Sequence, residues 1–353
     1  VFRPFGGWHA LHSCDGSLMG ARACIFGCLG PHLTSDESAY FRDANPWGFI
    51  IFARNIETPD QVRALTSDLR EAVGRDAPIL IDQEGGRVAR FRAPHWREWE
   101  PALDFAQNHG ANAQKAMYLR GRMIADDLHS VGVDVNCTPM LDVATQDSHD
   151  IILNRCYGYD PETVAANGRA LAEGQADGGV LSIIKHIPGH GRANLDSHHD
   201  LPRLDTPLAE LQATDFVPFK RLNNLPMAMT AHITYSAIDP DACATLSSKA
   251  ISAIRNDIGF DGLLMTDDLS MKALDGTFEQ RTQKALKAGC DIILHCNGER
   301  AEMDPIIANT PELTGHAATR ASAALSHRIT PKPFDREQAE ATLKSLLKDA
   351  ANV

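Results

Sequence analysis

Several things are scarce in this sequence, and each absence excludes something. No apolar run approaches the roughly 20 residues that a membrane-spanning helix requires, and the longest are broken within about eight. CxxC pairs are missing, so the eight cysteines suggest neither a disulfide framework nor a zinc cluster. Positive charge is in deficit. Lys and Arg total 34 against 46 Asp and Glu, a net charge of −12 at pH 7. Such a chain has no long-range attraction for phosphate backbones or anionic lipid, which sets nucleic-acid and membrane-surface roles aside. No Pro/Gly/Ser linker or composition break divides the 353 residues, and an apolar share of 43% excludes a disordered chain.

The N-terminal residues lack the basic-then-apolar order of an export signal. Residues 1–18 read as a leader or upstream extension with little structure, with Met19 an alternative start. Residues 19–353 read as one domain with a helical tail. Cys24, Cys28, Cys137, Cys290 and Cys296 sit in apolar runs, where a reduced thiol serves as a small core residue. Together these features predict a reducing compartment.

What is present is a repeat of short apolar runs: Ala23–Cys28, Gly48–Phe52, Pro78–Asp82, Val133–Cys137, Leu181–His186, Met227–His232, Gly262–Asp267 and Asp291–Cys296. None alternates with polar residues, so the runs predict strands buried on both faces. Helical patterns lie between them at Thr58–Val73, Asn112–Val131, Asp160–Asp177, Thr206–Leu222, Ser247–Ile258 and Thr277–Ala288. Thr58-Pro59 and Asp160-Pro161 each put a capping oxygen before a proline at the first helical position. Eight strands alternating with helices predict a parallel sheet closed into a single (β/α)8 TIM barrel.

Barrel active sites lie at the C-terminal ends of the strands. Polar residues gather at those ends here: Asp82-Gln83-Glu84, Lys185-His186, His232, Asp267-Asp268 and His295. Asp82 heads a Gly85-Gly86 turn that returns Arg90 toward the same mouth. Arg155, after the Pro139–Val143 segment, offers a fork for hydroxyl or carbonyl oxygens. Strand alternation points Asp267 into the mouth and Asp268 away from it. By residue type alone Asp267 is a nucleophile, a general base, a metal ligand or an N-cap. The segment from His186 to Asp200 holds four histidines and two aspartates. Its spacing admits a proton-transferring pair of Asp196 and His198, a zinc site, or a solvated loop, with His190 and His199 ordering the loop or facing solvent.

The runs IDQEGGRVARF, KHIPGHG followed by Asp196-Ser197-His198, and MTDDLSM, in this order between about Ala21 and Ala301, resemble glycoside hydrolase family 3. Within that family they are similar to the bacterial β-N-acetylglucosaminidases. The resemblance implies one TIM barrel without a C-terminal sandwich domain. It also implies exo-cleavage of terminal β-linked N-acetylglucosamine from cell-wall fragments that end in anhydromuramic acid, during cytoplasmic recycling.

It assigns Asp267 as nucleophile, His198 as proton donor and acceptor, and Asp196 as its partner. Asp82, Arg90, Arg155, Lys185 and His186 are assigned to hold the sugar. No metal and no cofactor are implied, and the expected partner is a small carbohydrate met by a monomer. The sequence departs from the commonest family pattern at Ile187 and at Cys156-Tyr157. These residues flank the binding positions and bear on pocket shape. A metal-dependent barrel hydrolase using His186, His190, His198 and Asp267 is the competing class, and a non-catalytic sugar-binding barrel is a third.

Overall fold

The computed structural model describes residues 18, 20–146, 148–193 and 201–350. Residues 1–17, which make up most of the segment 1–18 expected to be a leader or upstream extension, lie outside the described residues, as do Met19, Asp196 and His198. Among those described, ten strands run in chain order: β1 Arg22–Gly27, β2 Pro46–Ile51, β3 Ile79–Ile81, β4 Val135–Asn136, β5 Leu181–Ile187, β6 Arg203–Leu204, β7 Met227–Thr230, β8 Thr234–Tyr235, β9 Leu263–Met265 and β10 Ile293–His295. Eight of them coincide with the eight apolar runs. They form one sheet in the order β10-β1-β2-β3-β4-β5-β7-β9, and every pair in it is parallel.

The sheet closes on itself. A parallel bridge joins Met265 to Ile292, with Asp291 N–H donating to the Leu264 carbonyl at 2.8 Å and Thr266 N–H to the Ile292 carbonyl at 3.0 Å. The predicted (β/α)8 barrel is therefore observed. β6 and β8 were not anticipated; they make a separate two-residue ladder.

The absence of polar alternation in the runs has a direct structural meaning. Ile25, Ile50, Leu80, Val135, Ile183, Met229 and Met265 fill the barrel interior, while Phe26, Ile51, Ile79, Ile81, Ile184 and Leu264 pack outward against helices. Both faces of each strand are dry, as a helix-covered parallel sheet demands. At the N-terminal end the chain 311–313 pairs with the start of β1, through Ala23 N–H to Pro311 O at 2.9 Å and Leu313 N–H to Ala21 O at 2.8 Å. The following helix, Gly315–Leu325, sends Ala318, Ala321 and Ala324 into the interior group and stops that end. The opposite, C-terminal mouth is left for chemistry.

The capped helices form as read. Thr58 Oγ1 accepts from Gln61 N–H ahead of the helix Pro59–Val73, and Asp160 accepts from Thr163 N–H ahead of Pro161–Asp177. The single helix predicted over Thr206–Leu222 is instead two, Leu208–Ala213 and Phe216–Arg221. The reason is Pro218: its ring clashes with the carbonyl four residues back, which belongs to Thr214, where the break falls.

Candidate active site

The site grows from the end of β3. Asp82 follows the strand, and Gly85 and Gly86 then take φ of +109° and +57°, conformations that reverse the chain and favour glycine. Gln83 fastens the returning segment. Its Oε1 accepts from the N–H groups of Arg90 at 2.8 Å and Phe91 at 3.0 Å, and its Nε2 donates to the Phe91 carbonyl at 3.0 Å. Arg90 is thereby held over the ring of Phe52, 4.9 Å from its centroid, and its Nη2 donates to Asp82 Oδ2 at 3.0 Å.

A buried charge network crosses the barrel from there. Lys185 Nζ donates to Asp82 Oδ1 at 2.8 Å and lies 2.6 Å from Glu84 Oε1. Arg155 grips Glu84 with its fork, Nε to Oε2 at 2.9 Å and Nη2 to Oε1 at 2.8 Å. Burial works against the Glu84 charge, but Arg155 and Lys185 outweigh it and hold the carboxyl down at about 2. Asp82 is likewise held well below the usual carboxylate range by Lys185 and Arg90 against its burial. Burial opposes the Lys185 charge too, and its two carboxylates raise the ammonium above its ordinary value. The network is fixed and fully ionised before any ligand arrives. The Arg155 fork, expected to meet a ligand, is spent on Glu84.

Lys185 and His186 are consecutive, yet both line the cavity. Regular alternation would send them to opposite faces. The β5–β7 ladder shifts register between Ile184 and Ile187, and this irregularity brings both to the mouth. The His186 ring is anchored by Asp142, whose Oδ2 lies 2.8 Å from Nδ1. Since an ionised carboxylate only accepts, Nδ1 carries a proton and donates. Asp142 also accepts the His190 amide at 2.6 Å, and burial is outweighed by His186 and His190 so that its carboxyl stays ionised below the ordinary value. Gly191 makes this arrangement possible: a Cβ there would fall 1.9 Å from the Val143 carbonyl oxygen. His190 is 2% exposed and lines the cavity, so of its two expected roles, ordering the loop or facing solvent, the second is excluded.

Asp267 follows β9 and lines the same cavity. Its Oδ1 accepts the Asp268 N–H at 2.8 Å. Burial works against its charge, and His232, His186, the Asp268 amide and Lys185 together hold the carboxyl below its ordinary value. Asp268 also borders the cavity rather than turning away, but its carboxylate is occupied. Oδ1 accepts from the amides of Ser270 at 3.0 Å and Cys296 at 3.2 Å, and Oδ2 from the Ser270 hydroxyl at 2.5 Å. His295, by contrast, is not brought to the site. It points outward from β10, its Nε2 2.9 Å from Glu302, while Leu294 and Cys296 on either side line the cavity.

The cavity holds about 150 Å3 and is walled by Ile50, Phe52, Val88, Ile151, Ile152, Met229 and Met271 beside the polar residues. Its inner end is closed by the packed barrel interior. Asp82, Arg90, Arg155, Lys185, His186 and Asp267 all meet in it. Ile187 packs outward, and Cys156 packs with Met140, Ala144 and Ile152; neither departure from the family pattern lines the cavity. Among the described residues, no group of three His, Cys, Asp or Glu side chains is placed to hold a metal ion. Sequence reasoning placed Glu84 and His232 among the polar strand ends without giving them a role, and it missed Asp142. Their shared signal is a titratable residue within about six positions of a strand end.

A family model described as the glycosyl hydrolase family 3 N-terminal domain matches residues 32–323. A β-hexosaminidase of Methylococcus capsulatus is 36% identical over 308 residues, covering 86% of this chain and 91% of that protein. One of Alkalilimnicola ehrlichii is 37% identical over 284 residues, covering 78% and 81%. Among solved structures, NagZ of Neisseria gonorrhoeae, in complex with N-trifluoroacetyl-D-glucosamine, superposes with a TM-score of 0.80 at 28% identity, covering 94% of this chain and 98% of that one. A family 3 β-N-acetylglucosaminidase of Paenibacillus gives 0.80 at 25% identity, covering 95% and 68%.

Proposed function

The chain belongs to glycosyl hydrolase family 3, and on that premise we propose that it is a retaining exo-β-N-acetylglucosaminidase. The observation that carries this reading is the place of Asp267, its carboxyl held below the ordinary value, on the wall of a cavity already furnished with Asp82, Arg90, Lys185 and His186. A closed inner end admits a chain terminus and not a chain interior, so cleavage is exo. Fixed donors and acceptors suit the vicinal hydroxyls of one sugar ring, and the apolar wall suits its carbon face. Support also comes from the N-acylated glucosamine bound by the Neisseria relative.

In the proposed mechanism Asp267 attacks the anomeric carbon while His198 protonates the departing oxygen. Water then opens the glycosyl-enzyme, with His198 as base and Asp196 orienting it. A histidine fits both halves because imidazole titrates near ~6.5. No metal or cofactor takes part. The substrate is a small carbohydrate from cell-wall turnover, N-acetylglucosamine linked to anhydromuramic acid and its peptide, handled in the cytoplasm by a monomer.

The test compares a chromogenic β-N-acetylglucosaminide with the matching β-glucoside, in enzyme treated with chelator. The proposal expects turnover of the first, little of the second, and no loss on chelation. An inert acetylglucosaminide, or activity that returns only with added zinc, contradicts it.

A further inference from the structure

His232 is one of the buried titratable groups that this mechanism leaves unused. It lies just beyond β7, is 1% exposed, and does not line the cavity. Both ring nitrogens are engaged. Nε2 lies 3.0 Å from the Asp268 backbone carbonyl, and Nδ1 lies 2.7 Å from Thr245 Oγ1. A carbonyl only accepts, so Nε2 carries a proton. Burial pushes the imidazole below its ordinary value, and in its neutral form Nδ1 is an acceptor. Thr245 therefore donates its hydroxyl proton to Nδ1, and its oxygen can accept from Thr230, 2.8 Å away. The Thr245 hydroxyl is also 3.1 Å from the Ala231 carbonyl, a longer contact that would need the same proton.

The acceptor at the end of this relay is the backbone carbonyl of Asp268, the residue that follows Asp267. Asp268 is held from three directions. The Asp268 amide donates to Asp267 Oδ1, the Asp268 carboxylate is tied to Ser270 and Cys296, and the Asp268 carbonyl is tied to His232. Cys296 ties it to the β10 side of β9, and His232 ties it to β7 on the opposite side.

We propose that His232 is a positioning residue: by donating Nε2–H to the Asp268 carbonyl, it fixes the turn that aims the Asp267 carboxylate. This inference rests on the reading of Asp267 as nucleophile. A nucleophile displaced by about 1 Å loses on the order of 10²-fold in rate. Because His232 does not line the cavity, binding of the sugar is left alone and the loss falls on kcat.

Three variants separate positioning from packing. His232→Gln keeps a donor where Nε2 stood. His232→Asn can still meet Thr245 but is too short to reach Asp268. His232→Phe keeps the ring volume and removes both bonds. With a chromogenic β-N-acetylglucosaminide, the Asn and Phe variants should lose roughly 10–100-fold in kcat with KM within about twofold, while Gln recovers most of the rate. Wild-type kcat in the Asn variant, or Gln failing as badly as Phe, overturns the proposal. So does a KM effect that outweighs the kcat effect. If the His232 variants do not fold, Thr245→Val decides, because it unfastens the imidazole without touching the cavity. It should lower kcat several-fold at unchanged KM, and an unchanged kcat refutes the relay. Asp267→Ala is run alongside. If it stays active, the nucleophile reading fails and this inference falls with it. If it is dead while His232→Asn is fully active, this inference alone fails.

Discussion

Glu84 is the residue on which the charge network turns. It is 5% exposed and neutralises Arg155 and Lys185 at once, each within 3 Å. Glu84→Gln keeps the shape and removes the charge, leaving the buried Arg155 without the carboxylate its fork grips and Lys185 with only Asp82, which Arg90 already shares. Breaking a buried pair in this way costs about 3–5 kcal/mol. Urea unfolding of the Gln variant should register a loss of that order, accompanied by a raised KM as Lys185 and Arg155 shift. A loss under about 1 kcal/mol would mean that the network relaxes freely and is not prearranged. Asp82, Lys185, His186 and Asp267 were legible because each terminates an apolar run. Glu84 was harder to see. It stands three residues past β3, and its inward path depends on the Gly85-Gly86 reversal and on Gln83, neither of which shows in periodicity. Asp142 was hidden for a related reason: it follows β4 in an irregular stretch, and its partner His186 is 44 positions away.

The elements were legible wherever a local rule decided them. Asp160 illustrates this, since its Oδ2 accepts from Thr163 N–H at 2.8 Å and from the Thr163 hydroxyl at 2.9 Å, as an N-cap before Pro161 should. Asp160→Ala should cost about 0.5–2 kcal/mol in thermal or denaturant unfolding. It should leave kcat/KM on a chromogenic substrate unchanged, because the cap lies outside the cavity. A fall in kcat/KM without a fall in stability would couple this helix to the site and contradict the account. The helix Ser35–Ala44 carries an equally clear signal, a capping box between Thr34 and Glu37, yet was not among the helices read from the sequence. Its apolar face is narrow, with Phe41 and Ala44 its buried residues, so periodicity gave it little weight. β6 and β8 are two residues each, too short for any pattern, and form only because tertiary contact brings them together. The register shift in β5 is likewise a tertiary product.

On the scale of the whole molecule, stability should fall in acid in two stages. Burial, with the nearby charge of His186, pushes His190 from 6.5 down to about 4. The unfolded chain therefore takes up this proton first, and stability present above pH 6.5 is lost as the pH falls through that window. Glu84 has the same sign. Its carboxyl, 4.5 when unperturbed, is held at about 2, so its contribution is present above 4.5 and lost below it. Urea midpoints measured from neutrality into acid should decline across both windows, and His190→Asn should flatten the upper one. Midpoints that rise on acidification would reverse the sign and contradict this assignment.

The central claim is that Asp267 forms a bond to the sugar. The most direct measurement is mass spectrometry of His198→Ala incubated with an aryl β-N-acetylglucosaminide bearing an activated phenol. Such a phenol departs without a proton, so glycosylation proceeds, while deglycosylation lacks its base and stalls. The account predicts a burst of phenol and one N-acetylhexosamine attached to the peptide that carries Asp267. No burst and no adduct, or an adduct on Asp268 in its place, would contradict it.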